Sequence, residues 1–113
     1  MSRSTLTWEG RRALTDNAAA RPEEHKKAAD ELLEANALYD ATHFFGLAGD
    51  QEGLNEVLEI AVRDGNFFIF KSVLPRLSQK PSKDVIQALA EAAHKNGQLL
   101  YAEQAAAYIA ENY

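Results

Sequence analysis

Three short interruptions, at Asn36, Gly65 and Gly97, constrain this chain more than any other feature. They stand 29 and 32 residues apart, and the residues on either side of them recur in type. Eight positions before them stand Ala28, Val57 and Leu89; seven before, Ala29, Leu58 and Ala90; four before, Leu32, Ala61 and Ala93. Five positions after come Ala41, Phe70 and Ala102; eight after, Phe44, Val73 and Ala105. Nine after are Phe45, Leu74 and Ala106, and twelve after are Ala48, Leu77 and Ile109. Spacings of three and four gather these apolar positions on one face of a helix before each turn and one face of a helix after it. A unit of helix, turn and helix repeated at a near-constant period is the mark of stacked hairpins, because one hairpin cannot bury its apolar face alone.

The fold expected is therefore all-α: three stacked antiparallel helical hairpins, at about 22–49, 50–80 and 82–112, forming one repeat domain over 22–113. Residues 1–21 form a separate N-terminal segment, in which Leu6, Trp8, Ala13 and Leu14 suit a short helix covering the first hairpin. Local signals agree with these boundaries. Pro22 suits a first helical turn, and Glu23 and Glu24 favour the positive end of the helix dipole. Asp50 suits the start of a helix to about Asp64, Asn66 the start of one through about Leu77, and Pro81-Ser82 another stop and start. Asn96-Gly97 separates the last two helices. The weakest break is Asn36, a poor helix former rather than a breaker, so an unbroken helix from Glu23 to Ala48 is the competing reading.

Charge narrows the choice of partner. The net charge is −5, with +2 over residues 1–21 and −7 over the remainder, so a phosphate backbone or an anionic membrane would be repelled by the repeat region. No stretch reaches the ~18 apolar residues of a membrane span. Trp8 is followed by Glu9, Gly10, Arg11 and Arg12, which is not the core of a secretory signal. The chain has no cysteine, which excludes disulfides and thiolate metal sites and fits a reducing compartment. A cytoplasmic location is expected.

The second helix of the first hairpin carries a more specific pattern. Ala41, Phe45 and Ala48, in the run from Ala35 to Asp50, place two small residues and a large aromatic at the spacing of tetratricopeptide repeats. The sequence resembles degenerate tetratricopeptide-like repeats over 22–113. The other copies depart from the pattern, with Phe70, Leu74 and Leu77 in one and Ala102, Ala106 and Ile109 in the other. His25, Leu54 and Ile86 stand where the family has tryptophan, and Ala29, Leu58 and Ala90 where it has glycine. A generic helical-hairpin solenoid and a compact six-helix bundle fit the same helices.

The resemblance implies a concave groove lined by the first helix of each hairpin. Carried over by position, it assigns partner contacts to Lys26, Asp30 and Leu33, to Asn55, Glu59 and Val62, and to Gln87, Glu91 and His94. The family's clamp for a peptide carboxylate uses lysines, an arginine and asparagines, and only Lys26 and Asn55 supply such chemistry here. Asp30, Glu59 and Glu91 share one column instead. As a groove lining they would attract a basic segment; as solvent-facing helix positions they would serve solubility alone. The Phe67–Phe70 run reads as core of a sandwiched middle hairpin, or else as an exposed docking patch. Tyr101, Tyr108, Ile109 and Tyr113 leave the last helix without the charged face of a cap, so this edge suits another copy or a partner.

Catalysis has no foothold in the sequence. His25, His43 and His94 are not in metal-ligand spacing, Gly46, Gly49 and Gly53 lack the lysine-serine ending of a phosphate loop, and Asp50 to Gly53 is too short for a calcium loop. No enzyme activity, cofactor or metal is expected. The leading expectation is a protein-interaction module, as adaptor, chaperone-like holder or assembly subunit, that binds a peptide or helix. The alternative is a structural subunit that self-assembles through its terminal hairpins, with nucleic-acid binding a distant third.

Overall fold

A computed structural model describes residues 21–113; the N-terminal segment with Leu6, Trp8, Ala13 and Leu14 lies outside the described residues. The fold is all-α. Among the described residues there are six α-helices and no strand: α1 (Pro22–Glu34), α2 (Leu38–Ala48), α3 (Gln51–Asp64), α4 (Phe67–Val73), α5 (Lys83–Lys95) and α6 (Leu99–Asn112). A 3-10 turn, Leu74–Arg76, follows α4.

Capping side chains start three of the six helices. Asp50 Oδ1 accepts from the Gly53 N–H at 3.2 Å, Asn66 Oδ1 from the Ile69 N–H at 3.1 Å, and Ser82 Oγ from the Val85 N–H at 3.4 Å. Each satisfies one of the donors that a helix start leaves without an intrahelical partner. Pro22 occupies the first turn of α1, and the Glu24 carboxylate reaches back to accept from the Arg21 N–H at 2.9 Å.

The helices end in a motif that recurs four times among the described residues: at Gly49, which closes α2 with a φ of 66° and bonds from Asp50 to Phe45 and from Gly49 to Gly46, and at the three turns that close α1, α3 and α5. Asn36, Gly65 and Gly97 adopt left-handed φ values of 62°, 68° and 77°. The residue after each donates to the carbonyl five positions back: Ala37 to Leu32, Asn66 to Ala61 and Gln98 to Ala93, all at 2.8 Å. The left-handed residue itself donates three positions back, to Leu33, Val62 and His94. This is the Schellman arrangement, which satisfies the last carbonyls of a helix. Asn36 therefore breaks the first long apolar stretch into α1 and α2; its short polar side chain tolerates the left-handed region better than any other non-glycine type.

The second helix of the middle pair is shorter than its apolar pattern suggests. The sequence places its end near Leu77, but α4 stops at Val73 and the chain leaves the helical region at Leu77. Pro75 explains this. It has no N–H, and its ring collides with the carbonyl four residues back, so the last turn tightens into a 3-10 form.

Residue contacts divide the chain into two compact units, one ending at Leu54 and one spanning Asn55–Tyr113. In the first, α1 packs against α2. Ala28, Ala29 and Leu32 of α1 and Ala41, Phe44 and Phe45 of α2 are buried, as is Leu54 at the start of α3. Gly53 lies so close to the Phe45 ring that a Cβ there would overlap it. Thr42 is buried and donates its hydroxyl to the Leu38 carbonyl at 2.8 Å. His25 is buried and stacks on Phe44 with ring centroids 6.0 Å apart.

In the second unit, α5 packs against α6, and α4 also packs against α6. Tyr108 on α6 meets the rings of Phe67 at 6.3 Å and Phe70 at 5.8 Å, both edge-on. The backbone of Ala92 and Ala93 on α5 lies against Gly65, and the Asn96 side-chain amide donates to the Asp64 carbonyl at 3.2 Å. Tyr113 donates its hydroxyl to the Pro81 carbonyl, with Lys80 Nζ 4.3 Å from its ring centroid.

Burial follows the register read from the sequence at most positions. The columns eight and four before the turn, and eight after it, are buried in all three copies. So is the column eleven before it, His25, Leu54 and Ile86, where the family pattern has tryptophan. The Phe67–Phe70 run divides: Phe67, Ile69 and Phe70 are core, whereas Phe68 is 55% exposed. A helix flank buried on several sides still presents one side to solvent when only seven residues make the helix.

Candidate functional site

A concavity open to solvent lies within the second unit, between α3 and α5. Its volume is about 690 Å³, and it is lined by Asn55, Leu58, Glu59, Val62 and Arg63 from α3 and by Asp84, Val85 and Ala88 from α5. Ligand-binding clefts span roughly 300–1,000 Å³, so this one is of binding size. The α3 lining covers about 12 Å of helix at the α-helical rise. Leu58, Val62 and Val85 are half-buried and form an apolar floor, while Glu59 and Asp84 are exposed at the rim.

The rim is acidic in effect. Arg63 is the one cation of the lining, and its Nε is paired with the Asp64 carboxylate at 3.2 Å. Asp84 lies in the first turn of α5, where a carboxylate also complements the helix dipole. An apolar floor with carboxylates on both walls accepts a ligand that brings apolar groups and positive charge together.

The residues assigned from the sequence are placed as follows. Asn55, Glu59 and Val62 line the cleft. Gln87, Glu91 and His94 are exposed on α5 but are not part of its lining. They lie on a flank turned roughly 100° about the helix axis from Asp84, Val85 and Ala88. The reason is geometric. Two helices side by side contribute opposite flanks to the cleft between them, so one repeat column cannot supply both walls. Asp84, Val85 and Ala88 belong to columns that the assignment left out, and the offset follows from the packing of α5 on α3 rather than from any spacing within α5.

In the first unit, Lys26 and Asp30 are exposed and Leu33 is half-buried. Lys26 Nζ lies 2.9 Å from Asp50 Oδ2 and 3.8 Å from Asp30 Oδ2. The hydrogen bond to Asp50, with the charges of Asp30 and Asp50, holds the Lys26 ammonium above its ordinary value. Burial pushes the Asp50 carboxyl up, but the Lys26 hydrogen bond, the Gly53 N–H and the Lys26 charge outweigh it, and the net shift is downward. Lys26 thus ties α1 to the start of α3, which removes it from the clamp chemistry a peptide carboxylate would need.

A smaller cleft of about 410 Å³ opens between α4 and α6, lined by Phe67, Phe68, Lys71, Ser72, Leu100, Tyr101 and Gln104. The histidines share no site: His25 is buried, His43 stands edge-on to Phe44 at 5.4 Å, and His94 is exposed in the last turn of α5. Among the described residues no group of three or more His, Asp or Glu side chains is placed to hold a metal ion. No helix among them is long and apolar enough to cross a membrane. Comparison with protein-family models, curated proteins and solved structures finds no match to the chain.

Proposed function

We propose that the protein is a binding module built from tetratricopeptide-like hairpins, and that its α3–α5 cleft holds a short amphipathic peptide with basic side chains beside apolar ones. The observation that carries this reading is the cleft itself: an apolar floor of Leu58, Val62 and Val85 between the carboxylates of Glu59 and Asp84, with the neighbouring Arg63 already paired to Asp64. A peptide that lays apolar residues on the floor and directs lysine or arginine to the rim complements the floor and both carboxylates.

The repeat architecture is supported within Asn55–Tyr113. There the first helices of two successive pairs share a cleft, and their second helices meet through Tyr108, Phe67 and Phe70. First helix beside first and second beside second is the order of stacked hairpins. Burial of His25, Ala28 and Leu32 on α1 and of Phe44 on α2, at the register that is also buried in the later copies, extends the reading to the α1–α2 pair.

The test uses fluorescent amphipathic helical peptides of matched hydrophobicity, one lysine-rich and one glutamate-rich. The lysine-rich probe binds more tightly, its affinity falls as salt rises, and Glu59→Gln with Asp84→Asn weakens it about tenfold, the equivalent of ~1.4 kcal/mol. Thermal unfolding of the double variant confirms that the fold is intact. Equal binding of both probes, or no loss in the double variant, overturns the reading.

A further inference from the structure

The second and third helix pairs end their first helices in the same turn, and comparing equivalent positions shows what each turn faces. Around Gly65 the outer side is covered. The backbone of Ala92 and Ala93 lies against it, Asn96 caps the Asp64 carbonyl, and Tyr108 seats on Phe67 and Phe70. At Gly97 nothing lies within 4 Å of where a Cβ would stand. Leu99, the equivalent of Phe67, is 59% exposed, and Ala102, the equivalent of Phe70, is half-buried. Gln87, Glu91 and His94, the equivalents of the cleft residues Asn55, Glu59 and Val62, are all exposed. The last pair therefore repeats the receiving surface of the pair before it, uncovered.

The complementary, inserting register recurs on the first helix pair. Tyr108 is the eleventh residue after its turn, and the eleventh residue after Asn36 is Leu47, on α2, a large apolar side chain 43% exposed. The middle copy has Arg76 at that register, beyond the end of α4, because Pro75 has already broken the helix.

We infer that the chain associates with a second copy of itself head to tail, Leu47 of one copy seating on Leu99 and Ala102 of the next as Tyr108 seats on Phe67 and Phe70 within one chain. The occupant is specified by the chain's own packing: the surface around Leu99 has the form that a helical pair of this protein already covers one repeat earlier. A contact between two different surfaces leaves one of each unused in any dimer, so association continues until a ring closes or a filament forms. The net charge of −5 opposes it, so moderate salt favours association by screening.

Sedimentation velocity over a wide concentration range, at physiological salt, tests the inference. The wild-type mass rises with concentration and passes that of a dimer. Leu47→Glu and Leu99→Glu each remain monomeric alone, with unfolding transitions like the wild type, because both positions are exposed. Mixed in equal amounts they form a dimer and stop there, since each variant brings one intact surface. Leu47→Ser and Leu99→Ser repeat the comparison without added charge. A wild-type mass independent of concentration overturns the inference. So does a mixture that stays monomeric, or a Leu47→Glu chain that associates as the wild type does, which would mean that two α6 faces meet symmetrically. Binding of the lysine-rich probe in the α3–α5 cleft is unchanged in both variants, so the two readings fail separately.

Discussion

Gly65 and Gly97 close the same motif on two helices of one chain, with φ values of 68° and 77° and the same pair of backbone hydrogen bonds, yet only Gly65 has a neighbour. The backbone of α5 lies against Gly65, whereas Gly97 faces open space. The difference separates two reasons for a glycine. One is conformational, since the left-handed region is strained for a residue with a Cβ. The other is steric, since two backbones approach only where no side chain intervenes. Gly97 meets the first requirement, and Gly65 meets both.

The largest expected effect follows from that. Gly65→Ala places a methyl group onto the backbone nitrogen and Cα of Ala93, where no flexible side chain can give way. Left-handed strain of ~1–2 kcal/mol adds to an overpacking cost of ~1–3 kcal/mol, so the variant loses about 3 kcal/mol or more in chemical denaturation. A loss below about 1 kcal/mol would mean that α5 does not press on this turn as described.

Gly97→Ala is the matched control, with the same strain and no clash. Its expected cost is about 1 kcal/mol, or a fall of ~4–8 °C in melting temperature for a chain of this size. If both alanine variants lose equally, the steric half of the comparison is wrong and conformation alone decides the choice of glycine.

The same contrast explains what could be read from the sequence. The turns at Asn36, Gly65 and Gly97 were legible because each is a local event: a residue suited to φ > 0 between two apolar faces. The starts at Asp50, Asn66 and Ser82 were legible for the same reason, and so were the columns four and eight positions from the turn, which pack in every copy. Of the residues that the resemblance assigned to a groove, Asn55, Glu59 and Val62 line this cleft; Asp84, Val85 and Ala88 were not assigned, because the flank of α5 that faces α3 is decided by packing between helices. The close approach at Gly65 is likewise set by a distant part of the chain, the backbone of Ala92 and Ala93. Pro75 is a local signal of the early end of α4, which the apolar column running on to Leu77 does not carry.

The first helix pair supplies the last and smallest test, because a charge pair joins the close approach of Gly53 to Phe45 in fastening it to the segment that follows. Lys26 on α1 meets Asp50, the cap of α3, at 2.9 Å. Asp50 is held below its ordinary value of 3.8, so its contribution to stability is complete above the unfolded-state value and fades as pH falls through the folded one. Lys26 is held above 10.5, so its contribution is complete below that value and fades as pH rises through its folded one. The pair therefore stabilises the fold across neutral pH and weakens at both extremes. Asp50→Asn keeps a capping oxygen and removes the charge. The gap in denaturation midpoint between wild type and this variant is expected to be small and constant near neutrality, to shrink with added salt, and to close as pH drops below about 4, the ordinary carboxylate range. The destabilisation from Gly65→Ala should show neither trend, since steric overlap does not titrate and is not screened. A gap for Asp50→Asn that persists undiminished in acid would mean that Asp50 acts through its cap geometry alone and that the ion pair with Lys26 contributes nothing.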